Sequence, residues 1–445
     1  MASAQTRTET LVLQTRGHSN EAVEAGESEP GILQESEPSQ QGKWTLPKIL
    51  SAGVSFFVAG VNDGSLGSLI PYVIRSYGIG TSMVAVLYGV TFCGWLFAAL
   101  SNSFICQYLD LGAMLALGAT FQILAHVLRC WLPPFPLYAV TFLFASLGQA
   151  YNDTHANTFV SSQRGAHRWL GFIHAMYMGG CLVGPFVATA VASANTDSQW
   201  NLFYTFPLGL GVVNLVFVCL AFHDRMALCL KKEKREAAPG SASTSTGKTA
   251  MMEIKATLST PGVWLLSLFF FFFLGAAITA GGWMTEYLIK VRNGDVKDMG
   301  YVPAGYYGGG FLGRLLLAEP THRLGERRMI FIYAVLCVGL QLIFWLVPNI
   351  ITEAVAVSLL GFFSGPFFAT GISVGSKIFS PEIVSSAIAF VFVLGQIGGS
   401  IFPAITGIIA AQVGVKVLQP MLVGLLSAAG ISWLLLPKDL ELHRD

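Results

Sequence analysis

Residues Leu147 to Thr189 read LGQAYNDTHANTFVSSQRGAHRWLGFIHAMYMGGCLVGPFVAT. Two apolar runs flank a short basic turn with Arg164 and Arg168. The first run carries Gln149, Asn152, Asp153, His155 and Asn157. Residues three or four apart share a helix face, so Gln149, Asp153 and Asn157 form one polar stripe. The second run carries His174 and the series Gly171, Gly180, Gly184 and Pro185. An ionisable, amide-rich stripe inside an apolar span is costly unless it faces protein or a water-filled cavity. The stretch therefore predicts a pair of membrane helices whose polar face lines something other than lipid.

Composition extends that reading to the whole chain. Charged residues make up 11% and hydrophobic residues 53%, and mean hydropathy is +0.60. A soluble domain spends about a quarter of its residues on charge. The net charge of +1 says nothing about nucleic acid, and no basic patch with interleaved aromatics suggests it, so no nucleic-acid partner is expected; the lipid bilayer is the implied surroundings. The seven cysteines show no metal-ligand spacing, so neither a metal nor another cofactor is expected. They read as reduced packing residues.

Apolar runs of about 20 residues, enough for a hydrocarbon core of about 30 Å, repeat along the chain. They fall at 47–74, 82–106, 111–131, 136–160, 169–193 and 200–223, and then at 261–289, 301–318, 329–348, 352–379, 383–411 and 418–437. The fold class is thus an all-α membrane protein of twelve transmembrane helices in two six-helix bundles. Residues 1–44 read as a disordered cytoplasmic tail, 45–223 as the first bundle, 224–260 as a basic, then Ser/Thr-rich, cytoplasmic linker, 261–437 as the second bundle and 438–445 as a short cytoplasmic tail. Lys and Arg concentrate on one side, with Arg164, Arg168, Arg323, Arg327 and Arg328. The other side keeps few, Arg75, Arg129, Lys290 and Arg292 among them. That asymmetry places both termini in the cytoplasm.

The halves repeat. Tyr88 to Gly94 (YGVTFCG) matches Tyr307 to Gly313 (YGGGFLG), Gly60 precedes Tyr72 as Gly275 precedes Tyr287, and Gly180 and Gly184 match Gly395 and Gly399. Internal duplication around a central pathway is how many secondary transporters are built.

With these features on the page, the chain resembles the major facilitator superfamily from residue 45 to 437. Its loop signature has a counterpart in GGGFLGRLLLAEPTHRLGERR, carried by Gly309, Gly313, Arg314, Gly325, Arg327 and Arg328. The first-half loop CQYLDLGAM keeps Asp110 and Gly112 without the basic residues. Within the superfamily it is similar to the fucose-permease-like branch, especially fungal members, through GVNDGSLGSLIPY (Gly60 to Tyr72), NDTHANTF (Asn152 to Phe159) and Gly281-Gly282-Trp283. The resemblance implies a proton-coupled transporter of a small organic solute, sugar-like or a metabolite, working by alternating access. It also implies an acidic residue in the first span and one in the fourth, here Asp63 and Asp153.

The residues themselves support those roles. Asn62, Asp63 and Gly64 in succession are poor helix formers, so a local break is expected there, with Asp63 on a cavity. Apolar surroundings favour the neutral carboxyl, as a proton carrier requires; a hydrogen-bonded structural clamp is the competing reading for Asp63 and Asp153 alike. Asn62, Asn157 and Gln149 offer amide donors and acceptors to a polar cargo, or bonds between helices. His155 and His174 would shuttle protons or partner a neighbouring carbonyl. Trp283, near Glu286, would cap the pathway or sit at the membrane interface. Gly180, Gly184 and Pro185 serve as hinge or as packing. Arg314, Arg327 and Arg328 read as cytoplasmic gate and topology residues rather than cargo ligands. No residue set points to catalysis. The alternatives are efflux by proton antiport and, in another class, a non-transporting nutrient sensor. The proton gradient is the energy source, a monomer is expected, and the plasma membrane is favoured over the vacuole.

Overall fold

The computed structural model describes residues 44–106, 108–164, 166–194, 198–226, 252, 255–380 and 383–437. The expected amino-terminal tail before Trp44, linker residues 227–251 and the tail 438–445 lie outside the described residues.

The first bundle consists of α1 (Thr45–Tyr77), α2 (Thr81–Ile105), α3 (Leu111–Arg129), α4 (Phe135–Ser161), α5 (Ala166–Ser193) and α6 (Thr205–Ala221). The second has α7 (Pro261–Arg292), α8 (Val302–Leu316), α9 (Glu326–Leu346), α10, α11 (Val384–Val413) and α12 (Leu418–Leu434). Helix α10 is broken, running Ile350–Ser364 and resuming as Phe367–Ile378 past Gly365 and Pro366. Local chemistry sets many ends. The Asp110 carboxylate accepts from the Leu111 amide at the start of α3 and the Asn349 side chain from the Thr352 amide at the start of α10. Gly78 and Asn293, both left-handed, close the equivalent helices α1 and α7.

Ten helices among the described residues are long and apolar enough to cross a membrane by length and composition. The two others have physical reasons for falling short. Helix α4 is diluted by the polar stripe Gln149–Asn157, and α8 has only 15 residues, five of them among Gly305, Gly308, Gly309, Gly310 and Gly313. The all-α architecture in two pseudo-symmetric bundles stands. Within the first bundle α1 packs on α5 and α6, and α3 on α4 and α6; within the second α7 packs on α11 and α12, and α9 on α10 and α12. Across the divide α2 meets α11, α5 meets α8, and α1 meets α7.

The repeated glycines carry the pseudo-symmetry. A Cβ on Gly60 would fall on the Tyr177 carbonyl of α5, and one on Gly275 on the Phe402 ring of α11. Gly180 and Gly184 in turn rest on the Phe57 and Val61 carbonyls of α1, as Gly395 and Gly399 rest on Leu274 and Ile278 of α7. Small residues let backbones touch where no hydrophobic force separates helix from lipid. The expected break at Asn62–Gly64 is absent: α1 is continuous. Gly64 is there because the Cys181 carbonyl lies 2.5 Å from where its Cβ would be, a packing reason rather than a conformational one. Among the described residues the cysteines are free; Cys181 and Cys337 are buried, Cys130 and Cys219 half-buried, and Cys93 and Cys106 exposed.

At the ends, Lys48 of α1 pairs with Asp224 beyond α6 at 2.6 Å. Partial burial pushes the Asp224 carboxyl up, but the Lys48 hydrogen bond and charge outweigh it and hold the carboxyl below its ordinary value of 3.8. A carboxyl lowered in the folded state stabilises above its unfolded value and loses that contribution as pH falls through the folded one. The pair is 46% exposed on the Asp224 side, so screening limits it to about 1 kcal/mol or less. Asp224→Asn should lower the thermal midpoint slightly at neutral pH, and the difference from wild type should begin to shrink near pH 3.8 and vanish below the lower, folded value, as read by melts across pH.

Candidate functional site

A central cavity of about 190 Å³ lies between the bundles. Helices α1, α4, α7 and α10 line it, through Asp63, Asp153, Phe273 and Phe368 among others; α2, α5, α8 and α11 contribute as well.

The polar wall is built by α1 and α4. Asp63 sits deep among helices, yet its side chain is exposed because the cavity reaches it. Its Oδ2 accepts from Gln149 Nε2 at 2.8 Å and from the Tyr177 hydroxyl at 2.9 Å. Its Oδ1 accepts from Asn62 Nδ2 at 3.0 Å. Asp153 follows Gln149 by one turn of α4, is 8% exposed, and leaves Oδ1 without a partner. Asn157 continues the same face along the wall. The stripe read from the i, i+4, i+8 spacing is thus the cavity face of α4.

Behind this wall stands a residue counted, from its sequence, only among the outer-side charges. Arg129, the last residue of α3, is 1% exposed. Its Nη1 donates to Asn62 Oδ1 at 2.9 Å, and its Nε to the Thr141 hydroxyl at 2.7 Å. The guanidinium carbon lies 4.0 Å from the Phe142 ring centroid and 5.1 Å from that of Tyr204, within cation–π range. Arg129 thus fixes Asn62, and Asn62 donates to Asp63. The available signal was His126, three residues earlier on the same face and also fully buried. Arg129→Ala should lower stability by about 2–3 kcal/mol, because it strands buried acceptors on Thr141 and Asn62; a smaller loss for Arg129→Lys in thermal melts would show that charge carries part of it.

The remaining expected residues divide. His174 lines the cavity, its ring 5.0 Å from that of Phe368 across the bundle divide. His155 does not join it. Two residues past Asp153 it points to α2, with Nε2 2.9 Å from Asn102 Oδ1. Trp283 is fully buried and donates to the Pro403 carbonyl at 2.9 Å; it packs beside Tyr88 rather than facing the cavity. Gly180 and Gly184 are packing positions against α1, and α5 runs unbroken through Pro185. Arg314, expected at a cytoplasmic gate, lines the cavity instead, and its Nη1 donates to the His174 carbonyl at 2.9 Å. Arg327 binds the carbonyls of Leu434, Leu436 and Pro437, capping the end of α12, while Arg328 is exposed. Beside them Glu326 accepts from Lys377 at 2.7 Å and from Ser373 at 3.0 Å. Near the other end Arg292 pairs with the fully buried Glu353.

One end of the cavity is sealed. A Cβ on Gly67 of α1 would fall on the Gly281 carbonyl of α7, and the Tyr307 and Tyr88 hydroxyls occupy the space where side chains on Gly281 and Gly282 would stand. Ser68 Oγ donates to the Gly300 carbonyl at 2.7 Å across the divide. The two tyrosines are the matched residues of the repeat, so each half supplies one hydroxyl to the same seam.

Two pseudo-symmetric six-helix bundles around a central cavity with one polar wall define a class of membrane transporter. The Major Facilitator Superfamily profile matches residues 52–403 and 294–444, and the chain belongs to that family: it is a multi-pass integral membrane transporter. Bypass of stop codon protein 6 of Saccharomyces cerevisiae (strain ATCC 204508 / S288c) is 26% identical over 424 residues, 89% of this chain and 84% of that one. The fold is shared with a bacterial homolog of the human lysosomal transporter Spinster in an inward-facing, unoccupied conformation (TM-score 0.66, 13% identity, 89% and 97% of the two chains). It is shared also with the transporter FucP in the outward conformation (TM-score 0.61, 17% identity, 89% and 99%).

Proposed function

We propose that the protein is a proton-coupled secondary transporter of a small polar organic solute, working by alternating access, of the fucose-permease-like branch. The observation that carries this reading is the pair Asp63 and Asp153 on one cavity wall, within a helical turn through Gln149. Two ionised carboxyls held side by side in a wall of low dielectric repel each other, so the pair is suited to take up a proton from one side. Moving the seal at Gly67 to the opposite end would change the water around both groups and release it. The packed seam at that end and the cavity beneath it fit one half of such a cycle. The amides of Gln149, Asn62 and Asn157 suit a cargo with hydroxyl or amino groups.

We place both termini in the cytoplasm, and the protein in the plasma membrane as a monomer. Its energy source is the proton gradient, with no bound cofactor. Export by antiport is the competing direction. A panel of radiolabelled sugars, polyols, amino acids and organic acids in proteoliposomes, with and without a pH gradient, tests the proposal. Gradient-dependent accumulation of at least one is expected; no uptake of any, or uptake indifferent to the gradient, overturns it.

A further inference from the structure

The cavity has two electrically different walls. The α1–α4 side offers Asp63 and Asp153, and the second bundle offers one formal charge, the guanidinium of Arg314. That guanidinium is poorly compensated. Nη1 has the His174 carbonyl at 2.9 Å. Nε is buried with no acceptor. Among the described residues no carboxylate lies within ion-pair distance of it; the ion pairs there are those of Lys48, Arg292, His322, Arg323 and Lys377. A cation left with unmade hydrogen bonds in a low-dielectric wall is costly unless something bearing negative charge arrives. Arg129 also leaves one nitrogen, Nη2, without a partner, but it donates to two side chains, Thr141 and Asn62, and has a ring at 4.0 Å; Arg314 has one carbonyl and the Phe368 ring at 6.0 Å.

Position adds a second argument. His174, which Arg314 grips, and Tyr177, which donates to Asp63, are three residues apart on α5. One turn of helix, about 5 Å, therefore separates the levels of the cationic and acidic sites. A molecule of a few carbons spans that distance. A guanidinium presents a planar fork that matches a carboxylate.

We propose that Arg314 is the anion-binding residue of the cavity and that the cargo is a small organic carboxylate carrying hydroxyl or amino donors at its other end. The carboxylate seats on Arg314, and the donors meet Asp63, Gln149 and Asn157. This rests on the transporter reading above and narrows its substrate class.

The test uses matched probes on the purified full-length protein: lactate and lactamide, gluconate and gluconamide, alanine and alaninamide, each assayed by thermal stabilisation at several concentrations. At least one acid should stabilise wild type, at a concentration about tenfold or more below that needed by its amide. Arg314→Gln should remove that preference, and Arg314→Lys should keep part of it. The wild-type comparison alone decides the matter if the variants do not fold. The inference is overturned if an amide binds as well as its acid, if no acid in the panel binds, or if the preference survives in Arg314→Gln. Equal loss of acid and amide in that variant also overturns it, because it would mark Arg314 as a bridge between bundles. A neutral solute that binds and accumulates on a pH gradient would sink this inference and leave the transporter reading standing. Selective acid binding without any pH-driven uptake would do the reverse.

Discussion

Asp63→Asn and Asp153→Asn should each reduce pH-driven accumulation to the level of empty vesicles while the protein remains folded. Asn is close to the carboxyl in size and keeps hydrogen-bonding capacity, but cannot take up and release a proton. Asp63 accepts three hydrogen bonds, from Gln149, Tyr177 and Asn62. An amide oxygen at position 63 can retain the first two, so the helix contacts survive the change. Asp153 has an unpartnered buried oxygen and loses little structurally. The two variants should part in counterflow, the exchange of cargo down its own gradient. The carrier's variant should still exchange, because the conformational cycle is intact; the variant of the cargo-binding carboxyl should show weakened exchange at low cargo. Undiminished pH-driven transport in both variants would leave both aspartates structural.

The second large effect is expected at the sealed end. Gly67→Val places side-chain atoms where the Gly281 carbonyl now lies. This contact joins the two bundles and is not part of either bundle's own core, so folding should survive while closure does not. Overpacking of this kind costs about 1–3 kcal/mol, and each 1.4 kcal/mol is about tenfold in a conformational ratio. The variant should populate the state open at the Gly67 end, roughly ten- to a hundredfold more than wild type, and lose net transport. A cysteine introduced at Leu66, which lines the cavity, should become more reactive to an impermeant thiol reagent from the Gly67 side. Unchanged reactivity together with normal transport would show that the Gly67–Gly281 seam is not a gate. By contrast Gly180→Leu, inside the first bundle, should cost stability itself.

Much of this was legible beforehand, for identifiable reasons. Apolar runs and their punctuation mark the helices because every backbone group in lipid must be satisfied within a helix. The glycine matches between halves were visible because close backbone contact tolerates no side chain, so the same spacing recurs at Gly60 and Gly275, and at Gly180 and Gly395. The stripe Gln149–Asp153–Asn157 was visible from helical spacing alone. His155 was misplaced because two residues turn a helix by about 200°, which takes it to the α2 side. Arg129 was missed, and Arg314 was assigned to a cytoplasmic gate, for one shared reason. Both stand near helix ends, where positive charge ordinarily reports topology, and nothing in a single sequence tells an arginine that reaches water from one that folds back into the bundle. Asn62 was found, but its partner had to come from another helix. The contact of Tyr88 with Gly282 likewise depends on how two bundles meet, which periodicity does not encode.

The central claim is that proton and solute movement are coupled through this cavity. The direct measurement is the lumenal pH of proteoliposomes when a gradient of a transported solute is applied with no pH gradient. The account predicts a solute-dependent pH change, acidifying where the proton follows the solute and alkalinising where it is exchanged, that is absent in Asp63→Asn or Asp153→Asn. A solute that crosses the membrane on this protein without moving lumenal pH would contradict it.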